Sequence, residues 1–378
     1  MLRDDDELLA WMVLSRAPRL DVATLSRAFR DLNSTSAARL LHDAGAALQS
    51  APLPPAAQRF LAGACASDAE RAWLRHPHHH VVPFVDERYP RLLRDCSAAP
   101  VALYVSGDPA ILNDPQLSIV GSRNPTAAGR ETAFEFARNL AACGLCITSG
   151  LADGIDSAAH RGAIEAPGIT IAVLGSGIDV IYPQHNRRLA LKIEKHGAML
   201  SEFPLGTPPR AKNFPRRNNT IATLSLGTLV IEAAVRSGSL ITARLAGEHN
   251  RELFAIPGSI HNPLSRGCHE LIRNGAKLTE TTADILSELN FSGFAHPSPN
   301  LGSEASGPAD FGAGMDKGHK ILLDALGFDP ADLDALVVRT GLQPQTVSSM
   351  MLILELEGHV QAAPGGRYSR VCRSRSEG

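Results

Sequence analysis

The residues of this sequence best suited to do chemistry lie between Leu205 and Asn219. Arg210, Lys212, Arg216 and Arg217 supply four cations there, Phe214 sits among them, and no Asp or Glu occurs between Glu202 and Glu232. Cations for phosphates and an aromatic ring for a base face make up a single-strand nucleic-acid groove. A merely solvated surface loop usually mixes both signs of charge. The prolines of the stretch predict an extended loop that costs little to order.

Four further turns could hold an anion or a ligand. Gly121-Ser122-Arg123 joins an apolar run to a helical pattern, so backbone N–H groups and the Arg123 guanidinium could meet a phosphate there. Ser237-Gly238-Ser239 opens another helix and offers a second set of N–H groups. Gly175-Ser176-Gly177 would let the backbone approach a ligand closely. In the turn Ser149 to Asp156, Asp156 is expected to cap the helix that begins at Ser157. None of these reads G-x-G-x-x-G, and no acidic residue ends the next strand to hold a ribose, which argues against a dinucleotide oxidoreductase. His160 and His185 lack a Ser or Cys nucleophile on a recognisable elbow, so a hydrolase triad is not supported. Glu232 could serve as a general base or pair with a loop Arg, and the surrounding cations favour pairing. Cys143 and Cys146 have knuckle spacing but no second pair, and read as buried thiols. No metal or other cofactor is implied.

The elements that must position these turns alternate. Leu117–Val120, Cys146–Thr148, Thr170–Leu174, Ala198–Leu200, Thr228–Ile231 and Leu253–Ile256 read as strands. Helical patterns separate them over 131–142, 157–166, 186–196, 218–226 and 239–249. This order predicts an α/β class with a Rossmann-like parallel sheet over 81–290, its ligand site at the carboxyl edge. Residues 1–80 predict short helices forming a small domain, with Asp21 and Ser36 as N-caps. The histidines of 76–80 read as a solvated linker at its end, since no partner sits at metal-ligand spacing. Residues 291–315 are rich in Ser, Gly, Pro and Ala and read as a flexible linker. Residues 316–378 predict three helices and a hairpin, the pattern of a winged helix, with Asp329 capping a helix that starts at Pro330. The third helix is expected over 344–357, and its recognition segment, 346–351, carries no Lys or Arg, which favours protein contact or a structural role over duplex reading.

The 378 residues are 44% hydrophobic with a net charge of −2, enough for a large core and unlike a histone-type basic protein. No apolar run approaches a membrane span, the acidic N-terminus lacks a signal peptide's basic region, and six cysteines in this length are no disulfide framework. A cytoplasmic location is therefore expected.

Taken together, GSRNPT (121–126), SGLADGID (149–156), LGSGIDVIYPQHN (174–186), FPRRN (214–218), EAAVRSGSLITARLA (232–246) and FAIPGSIHNPLSRGCHELIRNGA (254–276) resemble the bacterial DNA-processing protein A family (DprA/Smf). The resemblance covers about 115–290 strongly and the C-terminal module more weakly. It implies an extended Rossmann-like core that binds single-stranded DNA without sequence preference and dimerises through that core. It also implies a role in loading the RecA recombinase during natural transformation, with single-strand-binding protein as a further partner. The family's DNA-binding positions match Arg123, Phe214, Arg217 and Asn218, with Lys212 beside them and the helix start Ser237-Gly238-Ser239. The family loop usually reads Arg-Asn-Arg-Ile, whereas Asn219 stands here in place of the second Arg; either binding is expected to be weaker or Arg216 or Arg210 to compensate. The competing class is a Rossmann-like nucleotide N-glycosidase with Glu232 catalytic and Arg123 on the monophosphate. Its usual Pro-Gly-Gly-x-Gly-Thr run before the Glu is absent.

Overall fold

The computed structural model describes residues 5–42, 53–260, 262–291, 317–326 and 330–371. Contacts group the chain into two units, one on residues 1–124 and 133–294, the other on 125–132 and 295–378.

The first unit opens with five short helices, α1 (Asp5–Arg16), α2 (Val22–Asp31), α3 (Ala37–His42), α4 (Pro55–Leu61) and α5 (Asp68–Leu74). Asp21 caps α2, accepting from the Thr24 N–H at 2.7 Å. Trp11 meets Phe29 and Phe84 edge-on at 5.5 and 5.6 Å, so the helices share one apolar cluster with the sheet that follows. The histidine run is not a linker. His79 begins strand β1 (His79–Pro83), stacks on Trp73 at 4.5 Å, and bonds the Trp73 carbonyl through Nδ1. Val81 and Val82 behind it are buried, and that burial pulls the run into the sheet.

After α6 (Arg91–Arg94) come β2 (Ala102–Gly107), β3 (Gln116–Gly121), α7 (Ala127–Ala142), β4 (Cys146–Ser149), α8 (Ile155–Glu165) and β5 (Thr170–Leu174). The chain continues through α9 (Arg187–His196), β6 (Gly197–Ser201), α10 (Asn213–Leu224), β7 (Gly227–Ile231), α11 (Gly238–Glu248), β8 (Glu252–Ala255), α12 (Arg266–Arg273), β9 (Lys277–Leu278) and α13 (Thr282–Glu288). The nine strands lie in the order β1-β2-β6-β5-β4-β3-β7-β8-β9. From β6 to β9 all neighbours are parallel, while β1 and β2 form an antiparallel edge. The sequence pattern starts the sheet at residue 117 and misses this edge. Residues in β4 to β7 are buried throughout, as expected where helices cover both faces.

From β3 the chain steps outward through β4, β5 and β6, then returns to the other side of β3 with β7. The order therefore reverses at β3, and a crevice opens outside the carboxyl ends of β3, β4 and β7. Gly121 ends β3 there: a Cβ on it would sit 1.9 Å from the Ile231 carbonyl oxygen, so this glycine serves strand packing.

The second unit holds α14 (Lys317–Leu326), β10 (Ala331–Asp332), α15 (Leu333–Thr340), α16 (Pro344–Leu356), β11 (Val360–Ala363) and β12 (Arg367–Arg370). The strands form a small sheet in the order β10-β12-β11. Leu322, Leu326, Leu336, Val347, Met351 and Leu354 form its core. The helix expected from Pro330 begins at Leu333 instead. Asp332 caps it, accepting from Ala335 N–H at 2.7 Å, because residues 331–332 are committed to pairing with β12. Asp329, and the 291–315 linker apart from Phe291, lie outside the described residues.

Candidate nucleic-acid interface

The stretch expected as an extended loop up to residue 217 is helical from Asn213. Pro215 falls in the first turn of α10, where a missing N–H leaves no gap in the ladder. The turn carries Arg216 and has no acidic residue. Cations at a helix N-terminus oppose the macrodipole. A local rule broken in this way marks a site where something else sets the residue type.

Helical spacing sends Arg216 and Arg217 in different directions. Arg216 turns to Glu202, with Nη2 donating to Oε2 at 2.8 Å, and lies over the Phe203 ring at 5.3 Å. Its charge is thus matched by the carboxylate that bounds the acid-free stretch. Arg217 is buried and faces Asp156 with Nη1 3.9 Å from Oδ2. Arg123, exposed, reaches the same place from the end of β3. Both guanidiniums lie close to the Phe214 ring, at 5.6 Å for Arg123 and 5.7 Å for Arg217.

Two glycines make this arrangement possible. A Cβ at Gly150 would fall 1.2 Å from Arg217 Nη1, and one at Gly175 would fall 3.0 Å from Phe214 Cδ1. Gly175, expected to let a ligand approach, thus admits the Phe214 ring of α10, and Gly150 admits the Arg217 guanidinium. Asp156 does not cap α8, which starts at Ile155 behind Gly154. Its carboxylate accepts the Gly150 N–H at 3.1 Å and stands behind Arg217. Burial pushes the Asp156 carboxyl above the usual range, opposed by Arg217 and by backbone N–H donors. The same burial lowers the Arg217 guanidinium, which stays charged because its ordinary value is far above neutral. Among the described residues the buried Arg217 Nε has no hydrogen-bond partner.

Across the crevice, Ser237 caps α11, accepting from Ser239 N–H at 3.2 Å. Asn218 Nδ2 donates to the Gly238 carbonyl at 3.4 Å and ties the two helix starts together. Arg123, Phe214, Arg217, Asn218 and Ser237–Ser239 thus line one pocket of about 310 Å³, together with Gly121 and Asp156. A helix N-terminus and two guanidiniums give the pocket a positive field of the kind that suits an anion. Ser122, Lys212 and Arg216 do not line it. Ser122 holds the turn, its carbonyl accepting Ile155 N–H and its Oγ accepting Asn124 N–H at 3.1 Å each.

Glu232 is also absent from the lining, where the carboxylate is Asp156. Its backbone is left-handed at φ 51°, and Asn262 Nδ2 approaches its Oε1 at 3.4 Å. Asn219 points away from the pocket, its Oδ1 bonded to His249 Nε2 at 2.9 Å. Cys96 Sγ lies 3.8 Å from that same nitrogen. This Cys-His-Asn group escaped the sequence reading. One imidazole nitrogen faces both partners, so the Asn cannot orient the ring from the far side as a triad requires. Cys146 is buried with its thiol pushed up by desolvation, whereas Cys143 is only half-buried. Among the described residues no group of three metal-ligating side chains occurs, and no helix is long and apolar enough to cross a membrane.

Residues 80–290 match the family model for DNA recombination-mediator protein A, and residues 305–366 match that for the DprA winged helix domain. Protein Smf of Escherichia coli is 42% identical over 324 residues, covering 84% of this chain and 86% of the relative. DNA processing protein DprA of Streptococcus pneumoniae is 45% identical over 207 residues, covering 55% of this chain and 73% of the relative. The X-ray structure of the pneumococcal protein superposes with a TM-score of 0.64 at 35% identity, over 75% of this chain and 97% of that one. A structure of DNA processing protein A from Helicobacter pylori, described by its single-stranded DNA binding mode, gives 0.52 at 29% identity over 58% and 99%.

Proposed function

Because this chain belongs to the DNA recombination-mediator protein A family, we propose that it binds single-stranded DNA through the crevice at the carboxyl edge of its sheet. Phosphates are held by Arg123, Arg217 and the start of α11, so binding is sequence-tolerant. On this reading the protein helps load RecA onto the strand during natural transformation or homologous recombination and has no reaction of its own. It works in the cytoplasm as a homodimer through the sheet-bearing unit, on strands coated by single-strand-binding protein. Residues 1–80, 81–290 and 316–378 are its functional parts. The observation that carries the reading is the convergence of two guanidiniums and a helix N-terminus on one pocket. The strand-binding relative from Helicobacter pylori supports it.

The test is a RecA-filament assay on strands coated with single-strand-binding protein. Added protein is expected to speed filament growth, and Arg123→Glu to remove the effect. No stimulation by the wild-type chain would refute the loading role. Release of free base from nucleoside monophosphates would refute the non-enzymatic one.

A further inference from the structure

The ring expected to meet a base is already engaged. Phe214 is half-buried against Gly175 and has two guanidiniums within 6 Å of its centroid. The aromatic ring left open on this edge is Tyr182, 46% exposed, at 6.1 Å from Phe214 and tilted by 52°. Tyr182 lines a second recess with Pro183, Pro209 and Asp153, and Arg123 and Phe214 form the wall it shares with the phosphate pocket. Its two loops are pinned together: Asn186 Nδ2 donates to the Leu151 carbonyl and to Ser157 Oγ, each at 3.0 Å. Asp153 Oδ1 is taken by His185 Nε2 at 2.5 Å, while among the described residues Oδ2 has no hydrogen-bond partner.

We propose that this recess is a nucleobase subsite in which Tyr182 stacks the base and Asp153 Oδ2 accepts from its exocyclic amine. The proposal rests on the single-strand reading above and adds a modest base bias to binding carried by phosphates. An exposed phenol ring offers any base a face to stack on. A carboxylate oxygen accepts from the cytosine N4 amine, and repels the O4 carbonyl that uracil and thymine present at the same position. Because His185 occupies only one carboxylate oxygen, the other can make that distinction without losing the loop contact.

The experiment compares the full chain's affinity for 15-residue oligo-dC and oligo-dU by fluorescence anisotropy at pH 8, where neither folds on itself. Both lack the thymine methyl, so the contrast is confined to ring positions 3 and 4, and Asp153→Asn tests the carboxylate's part in it. Oligo-dC is expected to bind roughly fivefold tighter, the low end of one discriminating base contact. Asp153→Asn, whose amide both donates and accepts, should bring the ratio to about one while keeping the His185 contact. Tyr182→Leu should weaken both strands by roughly fivefold or more. A wild-type ratio of one, or a ratio that survives Asp153→Asn, overturns the subsite and leaves strand binding standing. Failure of the folded wild-type chain to bind either strand overturns the parent reading instead.

Discussion

The most informative perturbation separates a cation that lines the pocket from one that does not. Arg123 is exposed and lines the pocket, whereas Arg216 is neutralised by Glu202 at 2.8 Å. Each phosphate neutralised on a single strand contributes about −0.7 to the slope of log K against log salt. Arg123, Arg217 and the start of α11 together correspond to two or three contacts, a slope of about −1.4 to −2.1. Between 50 and 200 mM salt the affinity should then fall by roughly 7- to 18-fold. Arg123→Gln should make the slope shallower by about 0.7, and Arg216→Gln should leave it unchanged. The assay is a titration of a labelled 15-residue strand at four salt concentrations for the three proteins. Equal loss of slope in both variants would show that position in the pocket is not what matters. An unchanged slope in Arg123→Gln would remove Arg123 from the interface.

Three other outcomes follow from the same geometry. Gly150→Ala places a methyl 1.2 Å from Arg217 Nη1 and should displace the guanidinium; strand affinity should drop roughly tenfold or more, the value of one charge-assisted hydrogen bond, with the circular dichroism spectrum kept. His160 is buried, with Nδ1 2.7 Å from Thr170 Oγ1, and desolvation lowers it from 6.5 to about 3. The unfolded chain therefore takes up a proton below pH 6.5 that the folded chain refuses, and stability is lost as pH falls. Urea unfolding should show His160→Asn losing about 2 kcal/mol less than wild type between pH 6.0 and 4.5, and identical losses would refute the assignment. Asn219→Arg should leave the salt slope unchanged, since position 219 faces His249 outside the pocket; a steeper slope would place it on the strand path.

Much of the fold was legible because its strands are short apolar runs punctuated by glycine turns. The carboxyl edge could be located from that alternation alone. The antiparallel edge was not legible, because two of the five β1 residues are histidine and its pairing with β2 is a tertiary fact. At the site, residue types indicated Arg123, Arg217 and the start of α11. They could not tell Arg216 from Arg217, because that depends on α10 beginning at Asn213 despite Pro215. Asp156 and Gly150 read as a cap and a turn residue. Their place behind Arg217 emerges only when β4 and α10 are brought together. Phe214 read as a base platform, yet it packs between Gly175 and two guanidiniums, which no local pattern encodes.

Whether the strand lies in the crevice between α10 and α11 can be read from hydrogen exchange with and without a saturating single strand. Exchange should slow in peptides covering 121–124, 213–218 and 237–240, with α16 of the second unit unchanged. Protection confined to the second unit, with those three segments unaffected, would contradict it.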